Sequence, residues 1–360
     1  MQQDRPEITG NRPEDTGLRK PPHAANLPDM NNKVLGCLGI IVLAALCLSI
    51  LFNFVLLAGS METTSYPKSS FREQVIEGHG LGSSGTIAVV DLFGVISYSS
   101  PGMVEDSMVD DLVAKLKQAR EDDDVKAVVL RIDSPGGEVT ASDVLYHEVA
   151  KTRAVKPVIA YIDSVGASGA YYTAMGATTV MANELSITGS IGVIMQTLNV
   201  EHLADKIGIT AFTFKSGKMK DLLNPTRQPT PEEMAYVQGL INETYDKFVG
   251  IVSKERKLNE KALRGELADG RIVSGKLAAA AGLIDKTGYF EDALDEAHKA
   301  AGLDHKARVI RLVAPFRFSN LFRLLSQAPE PPKVQIQIGP ELPRMEMGKL
   351  YFLSPHLYGR

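Results

Sequence analysis

The sequence predicts an α/β protein, because apolar strand patterns alternate with amphipathic helical patterns along most of the chain. Three runs carry the strand signal: TIAVVDLFGVI from Thr86, AVVLRID from Ala127 and PVIAYID from Pro157. Helical patterns occupy about 106–120 and 142–152. Strands and helices that alternate in this way favour a parallel sheet covered by helices.

The later part of the chain also combines strand and helix signals, as expected for the α/β class. A β-rich run over 178–197 is followed by a loop and then by a helix with a strong start signal. Thr230 is the expected N-cap, Pro231 takes the first helical position, and Glu233 completes a capping box. We expect this helix to end near Lys254.

A long uncharged segment precedes the α/β region. Residues 34–58 contain no charged residue and only Ser49 and Asn53 as polar interruptions. As a helix they would extend about 37 Å, which exceeds the roughly 30 Å thickness of a bilayer's hydrocarbon core. We predict a transmembrane helix rather than a cleaved signal peptide, because the preceding leader is long and no A-x-A site follows.

Basic residues indicate the orientation of this helix. More of them precede it than closely follow it, which favours a cytoplasmic N-terminus and an extracytoplasmic C-terminal region. Those before the span are Arg5, Arg12, Arg19, Lys20 and Lys33, and those soon after it are Lys68 and Arg72. We therefore expect a single-pass protein of the inner or plasma membrane.

These patterns divide the chain into five segments. They are a disordered cytoplasmic leader over 1–33, the transmembrane helix over 34–58, a linker over 59–84, a folded domain over 85–314 and a Pro-rich C-terminal tail over 315–360. The leader is rich in Pro, Asn and charge without an apolar period, which is typical of disorder. The tail opens with the basic, aromatic run PFRFSNLFRLL, which fits a membrane surface, a subunit groove or a mobile tail.

Charge and cysteine placement exclude several kinds of partner. The net charge is -4 at pH 7 and the pI is near 6.0, so no general basic field is present to bind nucleic acid. Cys37 and Cys47 both lie in the apolar span, which leaves the folded domain without disulfides or cysteine metal ligands. The chain has no phosphate-binding or dinucleotide-binding glycine motif and no H-E-x-x-H motif, so we expect no cofactor and no metal.

Two glycine-rich turns follow apolar strands: DSPGGEVTASD after AVVLRID, and DSVGASGAYY after PVIAYID. Small residues at a strand-to-helix junction let backbone N–H groups face a developing negative charge. Gly136 and Gly137 are candidates for such donors, and Ser168 is a candidate nucleophile facing them. From the local residues alone, a tight turn at the glycines and a helix cap at Ser168 are simpler interpretations.

The region from Thr86 to about His298 resembles signal peptide peptidase A, a family of bacterial membrane-bound serine proteases. The resemblance rests on segments in the family's order and spacing: SPGG at 134–137, GASGAYY at 166–172, TGSIGVIMQ at 188–196, KSGKMKDLLNPTR from Lys215 and ADGRIVSGKLAAAAGLIDKTG from Ala268. It implies a crotonase-like or Clp-protease-like spiral of ββα units, preceded by the transmembrane helix.

By that resemblance, Ser168 corresponds to the family nucleophile and Lys220 to its general base. A lysine acts as a base only as the neutral amine, which burial or nearby cations favour. Ser190 corresponds to a serine that orients the lysine amine, although an ordinary turn hydroxyl fits this position equally. The oxyanion hole is inferred to use the backbone N–H groups of Gly137 and Gly169.

The resemblance also implies a homo-oligomeric ring, which we expect to be an octamer. In such a ring, Lys220 of one subunit completes the site around Ser168 of its neighbour. The expected substrates are signal peptide remnants and other peptides in or near the membrane. Two alternatives stay open: a coenzyme-A-type hydratase or isomerase on the same fold, and a catalytically inactive membrane scaffold. A Ser-His-Asp triad is not supported, because the seven histidines are scattered.

Overall fold

The computed structural model describes residues 32–60, 71–78, 85–98, 107–314 and 350–353. The chain divides into two compact units, Met1–Lys68 and Ser69–Arg360. In the first unit, helix α1 spans Asn32–Ser60 and so includes the whole predicted span. Its segment Cys37–Phe54 is long and apolar enough to cross a membrane. Apart from its last two residues, the predicted leader lies outside the described residues.

The second unit alternates strands and helices as the sequence predicts. Its strands are β1 (Arg72–Glu77), β2 (Thr86–Phe93), β3 (Val125–Ser134), β4 (Gly136–Glu138), β5 (Val158–Ala167), β6 (Thr179–Ala182), β7 (Ile187–Gly189), β8 (Ile272–Ser274), β9 (Lys286–Thr287), β10 (Arg308–Val313) and β11 (Tyr351–Leu353). Its helices are α2 (Met108–Glu121), α3 (Val139–Arg153), α4 (Gly169–Ala174), α5 (Glu201–Lys206), α6 (Pro231–Arg256), α7 (Glu260–Glu266), α8 (Gly275–Ala280) and α9 (Phe290–Ala301).

Within the described residues, nine strands form one sheet whose main path is β1-β10-β2-β3-β5-β6-β9. The strands from β10 to β9 along this path are parallel, whereas β1 is antiparallel to β10. The short strand β7 lies parallel to the carboxyl end of β5, and β8 pairs antiparallel with β7. This helix-covered, mostly parallel sheet confirms the predicted α/β class.

The sheet is covered on both faces, which explains why its strands are apolar at nearly every position. In β2, Ala88, Val90 and Leu92 belong to a core shared with α2, α3, α4 and α6. Their neighbours Ile87 and Val89 belong to a second core, which α9 closes from the other side. All five side chains are fully buried. A strand with no solvent face cannot alternate apolar and polar residues.

The start of α6 agrees with the sequence prediction. The Thr230 hydroxyl accepts a hydrogen bond from the Glu233 N–H at 3.2 Å, and the Glu233 carboxylate accepts one from the Thr230 N–H at 2.7 Å. The helix ends at Arg256, two residues beyond the predicted end. Its first turn is therefore fixed by its own residues, which matters because the loop before it carries Lys220.

Two predicted segment boundaries need correction. Strand β1 lies inside the predicted 59–84 linker and pairs with β10. It has only Val75 and Ile76 as apolar residues and is largely exposed, so its pairing depends on the otherwise open edge of β10 rather than on a pattern of its own. Strand β11 lies inside the predicted 315–360 tail and pairs with β4. The PFRFSNLFRLL run lies outside the described residues.

Candidate functional site

Ser168 stands at the junction between β5 and α4 in a backbone conformation that side chains rarely adopt. Its φ is 55° and its ψ is -115°, which is strained for any residue except glycine. The residue is 1% exposed, and its Oγ has no hydrogen-bond partner among the described residues. The side chain makes no capping hydrogen bond to α4, so the simpler interpretation as a helix cap is not supported.

Ser190 lies beside Ser168 because the two residues follow the ends of neighbouring parallel strands. Ala167 at the end of β5 is in register with Gly189 at the end of β7, and the Ser168 N–H donates to the Gly189 carbonyl at 2.8 Å. Ser190 also has a positive φ, 52°, and is 5% exposed. Two strained serines thus meet at the carboxyl edge of the sheet, although they are separate in sequence.

The SPGG turn is held against the end of β2 by main-chain contacts. The Ile96 N–H donates to the Gly136 carbonyl at 2.9 Å, and the Glu138 N–H donates to the Ile96 carbonyl at 2.8 Å. A Cβ atom at Gly137 would lie 1.9 Å from the Ile96 carbonyl oxygen. Only glycine lets the Ile96 main chain come this close to Gly137. Ile96 therefore occupies one edge of the SPGG turn, and the opposite edge can pair with another strand.

That other strand is part of the same chain. Residues 350–353, called here the C-terminal segment, run antiparallel to β4, with Phe352 in register with Gly137. The Val139 N–H donates to the Leu350 carbonyl at 3.2 Å. Because hydrogen-bonded pairs alternate along an antiparallel ladder, Phe352 and Gly137 form the next such pair. The Gly137 N–H therefore faces the Phe352 carbonyl.

The second edge of the C-terminal segment is also paired. The Ile194 N–H donates to the Tyr351 carbonyl at 3.0 Å, and the Tyr351 N–H donates to the Ile194 carbonyl at 3.1 Å. The segment thus lies extended between β4 and the chain after β7. Adding an extended segment to a strand edge through main-chain hydrogen bonds is one way in which proteins bind peptides.

The Phe352 carbonyl lies at the meeting point of the predicted oxyanion donors. A Cβ atom at Gly169 would be 3.2 Å from the Phe352 oxygen and 3.1 Å from the Gly137 nitrogen. A Cβ atom at Gly136 would be only 2.2 Å from the same oxygen. Gly169 directly follows Ser168 and opens α4, whose first N–H groups have no partner within the helix. The Phe352 carbonyl therefore lies close to the main chain of Gly136, Gly137 and Gly169, the residue that follows Ser168.

The Phe352 side chain fills an aromatic pocket. It stacks on Tyr172 with ring centroids 5.0 Å apart and contacts Phe248 of α6 at 4.8 Å, and all three rings are buried. The Tyr172 hydroxyl donates to the Asp143 carboxylate at 2.6 Å. Burial first, and then this hydrogen bond, raise the pKa of Tyr172 well above its usual range. The pocket wall therefore stays neutral.

Lys220 is not brought to Ser168 within one chain. It lies in the loop between α5 and α6 and is exposed, whereas the Ser168 Oγ is buried and has no hydrogen-bond partner in the described part of the chain. The Lys220 N–H donates to the Gly217 carbonyl at 3.1 Å, which only shapes the local turn. One chain therefore contains both Ser168 and Lys220 but does not bring the two side chains into contact.

The Lys220 loop is braced by an ion-pair network. The Asp221 carboxylate contacts Lys215 at 2.6 Å and Arg227 at 2.8 Å, and Arg227 also contacts Glu233 at 2.9 Å. Hydrogen bonds from Arg227 and then Lys215 hold the pKa of Asp221 well below its usual range. Arg227 is the largest cause that lowers the pKa of Glu233 to about 2. The neighbouring cations are thus engaged by carboxylates, which limits their repulsion of Lys220.

One cluster in the described residues has metal-binding side chains. Ligand atoms of Asp295, His298 and His305 lie within 4.8 Å of one another. Asp295 and His298 belong to α9, which packs on the sheet face opposite the core that contains α4. The cluster is therefore separate from the Ser168 site.

The fold and the site together define a two-sided α/β protein with a strained, buried serine at the carboxyl edge of its sheet and main-chain donors beside it. The model of peptidase family S49 matches residues 150–304, which include Ser168, Ser190 and Lys220. A putative protease of Synechocystis sp. is 41% identical over 192 residues, which are 53% of this chain and 69% of that protein. The chain belongs to peptidase family S49.

Other relatives agree with this family. A putative signal peptide peptidase SppA of Enterococcus faecium is 41% identical over 188 residues, 52% of this chain and 54% of that protein. Protease 4 of Salmonella typhi is 34% identical over 224 residues, 61% of this chain and 35% of that protein. The chain thus spans about half the length of the Enterococcus protein and about a third of the Salmonella protein.

A solved structure of a ClpP1 mutant from Listeria monocytogenes has a TM-score of 0.39 and 12% identity to this chain, covering 57% of this chain and 94% of its own.

Sequence reasoning did not identify the aromatic pocket or its occupant. Tyr172 belongs to the GASGAYY segment that marked Ser168, and its position one helical turn after the serine was an available signal. Phe248 and Phe352 carried none, because they lie far from Ser168 in sequence and meet only through the fold. The short apolar run LYFL was assigned to the tail for the same reason.

Proposed function

We propose that this chain is a membrane-anchored serine-type endopeptidase, with Ser168 as its nucleophile and Lys220 as its general base. One observation carries the proposal: an extended peptide segment lies in the groove with a carbonyl against Gly137 and Gly169, beside Ser168. A hydratase or isomerase of thioesters has no need for a groove that pairs with peptide main chain on both edges. The arrangement therefore favours peptide hydrolysis.

In the proposed mechanism, the neutral Lys220 amine takes the Ser168 proton as Oγ attacks the substrate carbonyl carbon. The N–H groups of Gly137 and Gly169 stabilise the oxyanion of the tetrahedral intermediate. Ser190 follows the end of β7, next to Ser168 at the sheet edge, and in the proposed mechanism its hydroxyl orients the incoming amine. The strained backbone of Ser168 is typical of a residue whose position serves a reaction rather than stability.

A second copy of the chain is the proposed source of Lys220. The described segment between β7 and α6 exposes a set of large apolar side chains, including Leu198, Leu203, Ile207, Phe212 and Phe214. Phe214 is 96% exposed. An apolar surface of this kind on the segment that carries Lys220 fits a subunit interface. We propose a homo-oligomeric ring, an octamer in our expectation, in which this segment delivers Lys220 to the neighbour's Ser168.

The proposed location follows from α1 and from the charges around it. We propose that α1 crosses the inner or plasma membrane once, with a cytoplasmic N-terminus and the peptidase unit on the extracytoplasmic side. Signal peptide remnants are the proposed substrates, in keeping with the printed name of the Enterococcus relative. A peptidase tethered to the membrane would be close to remnants that stay in or near the membrane.

The proposal is tested with the full chain purified in detergent and a fluorogenic peptide. We expect wild type to hydrolyse the peptide, and Ser168→Ala and Lys220→Ala each to lower kcat by at least about 10⁴-fold, because nucleophile and base act as a unit. Oligomer size, measured by light scattering, should be unchanged in both variants. A wild-type protein that hydrolyses no peptide would favour the inactive scaffold.

Mixing the two inactive variants tests where Lys220 acts. If one subunit supplies the lysine to its neighbour, a site is active when its own chain keeps Ser168 and the neighbouring chain keeps Lys220. In rings mixed at random from equal amounts of the two variants, each condition holds for half of the chains, so about a quarter of the sites regain activity. If the lysine acts within its own chain, mixing restores no activity. Lys218→Ala is the matched control, since Lys218 lies in the same loop and is 73% exposed at its side chain.

A further inference from the structure

A cluster of metal-binding side chains lies in the C-terminal half of α9 and the loop that follows it, on the sheet face opposite the core that contains α4. We propose that Asp295, His298 and His305 bind one Zn²⁺ ion, which fastens α9 to the loop before β10. Such a site is independent of the proposed peptidase function. It is supported by the distances within the cluster, by a buried imidazole nitrogen and by the shape of the loop that carries His305.

The three side chains lie close enough together to share one ion. Asp295 and His298 are three residues apart on α9 and therefore lie on the same face of the helix. The His305 Nδ1 lies 3.1 Å from an Asp295 carboxylate oxygen, and the His298 and His305 ring centroids are 5.3 Å apart. Ligand atoms of all three lie within 4.8 Å of one another. A tetrahedral Zn²⁺ ion with bonds of about 2.1 Å holds its ligand atoms about 3.4 Å apart, so a small movement of the exposed Asp295 and His305 side chains is enough.

His298 has a buried ring nitrogen that needs a partner. The residue is 3% exposed, and its Nδ1 lies 2.8 Å from the Leu294 carbonyl oxygen. Because a carbonyl only accepts, Nδ1 carries the proton, and Nε2 keeps its lone pair in the neutral ring. Nε2 is buried and has no hydrogen-bond partner among the described residues. A buried polar atom without a partner costs stability, whereas metal-binding histidines commonly donate their other N–H to a backbone carbonyl, as His298 does.

The loop that carries His305 is shaped by its own hydrogen bonds. The Asp304 carboxylate accepts from the Lys306 N–H at 3.3 Å, and the Asp304 carbonyl accepts from the Ala307 N–H at 2.9 Å. These bonds fix the backbone on both sides of His305, while its side chain, 72% exposed, is free to turn toward an ion. Ala307 is buried and leads directly into β10, which pairs with both β1 and β2. An ion bound by His305 would therefore join α9 to the start of this strand.

The donor set favours zinc over the common hard cations. Two imidazole nitrogens and one carboxylate oxygen suit Zn²⁺, whereas Mg²⁺ and Ca²⁺ prefer sites built from oxygen ligands. Three protein ligands leave one tetrahedral position for water. The sequence-based expectation of no metal rested on short motifs such as H-E-x-x-H, and Asp295, His298 and His305 match none of those motifs.

Calorimetric titration with Zn²⁺ tests the site in the full chain, purified in detergent without a histidine tag and stripped with EDTA. Wild type should bind one Zn²⁺ ion per chain. Asp295→Asn and His305→Ala should each weaken binding by at least about tenfold, since even the outer partners of a metal site contribute about 10–100-fold. The two side chains are 62% and 72% exposed, so these replacements leave the core intact.

His147→Ala is the matched control, because His147 is an exposed histidine on α3. This variant should bind Zn²⁺ as tightly as wild type does. Wild type that binds no Zn²⁺, cluster variants that bind it like wild type, or weaker binding in the His147 variant would overturn the proposal. Mg²⁺ is the control ion, and binding of Mg²⁺ with the same affinity would contradict a zinc site.

Thermal unfolding tests whether the ion fastens the fold. An ion that binds only the folded chain raises Tm, and a free Zn²⁺ concentration about a hundredfold above Kd should raise the Tm of wild type by about 5–10 °C. At the same concentration, a tenfold weaker site in Asp295→Asn should give at most about half of this shift. Equal shifts in the two proteins, or no shift in wild type, would refute a Zn²⁺ ion that joins α9 to the loop before β10.

Discussion

The backbone strain at Ser168 gives a stability prediction that separates this serine from an ordinary buried one. Ser168→Ala and Ser168→Gly both remove the hydroxyl, so the difference between them reports the backbone conformation and the loss of one Cβ atom, and a control at an unstrained buried serine accounts for the Cβ atom. Because the φ of 55° and ψ of -115° suit only glycine, the alanine variant keeps the strain and the glycine variant relieves it. We expect Ser168→Gly to be the more stable of the two.

The expected difference can be worked from two opposing effects. Relief of a residue in a sparsely populated φ/ψ region is worth about 1–3 kcal/mol. Glycine loses more chain entropy on folding than alanine, which costs roughly 0.5–1 kcal/mol. The net gain is about 0–2.5 kcal/mol, which corresponds to about 0–10 °C in Tm for a domain of this size.

Ser186 provides the matched control. It is also buried, at 3% exposure, but its φ is not positive and its Oγ donates to the Asp163 carbonyl at 2.7 Å. At this position Gly should be less stable than Ala by roughly 0.5–1 kcal/mol. Differential scanning calorimetry of the four full-length variants measures both orders. If alanine is the more stable replacement at both serines, the strain argument is wrong.

Two further predictions concern the turn and the loop around the site. Gly137→Ala places a Cβ atom 1.9 Å from the Ile96 carbonyl oxygen, which should displace the Gly137 N–H donor. We expect this variant to lower kcat for peptide hydrolysis by about 10²–10³-fold. Gly239→Ala is the control, because Gly239 has open space around it, and it should keep full activity in the same assay. Arg227→Gln should raise the pKa of Glu233 from about 2 toward its ordinary value. A carboxylate with a lowered folded pKa stabilises the protein above its unfolded pKa and loses that contribution as pH falls through the folded one. In hydrogen-exchange measurements, the amides of the first turn of α6 should therefore stay protected down to about pH 2 in wild type, whereas in the variant their protection should weaken near pH 4. Identical pH profiles of protection would contradict the role of Arg227.

Most helices and strands of this protein can be predicted from local sequence patterns. Strands buried on both faces are apolar at each position, and the α6 start depends on a capping box within four consecutive residues, so both signals are local. The unbroken apolar run of α1 is equally direct. The glycine turns and Ser168 were recognised because small residues at strand ends and a family pattern occur together in short segments.

The contacts between these elements, in contrast, depend on the three-dimensional fold. Ser168 and Ser190 become neighbours through the register of β5 and β7, and Phe352 reaches Gly137 only because β4 has an open edge. Strand β1 likewise has little pattern of its own and forms because β10 offers unpaired main-chain groups. Hydrogen bonds between distant backbones do not depend on side-chain identity, so the sequence carries almost no record of them, although they position the groove, the pocket and its occupant.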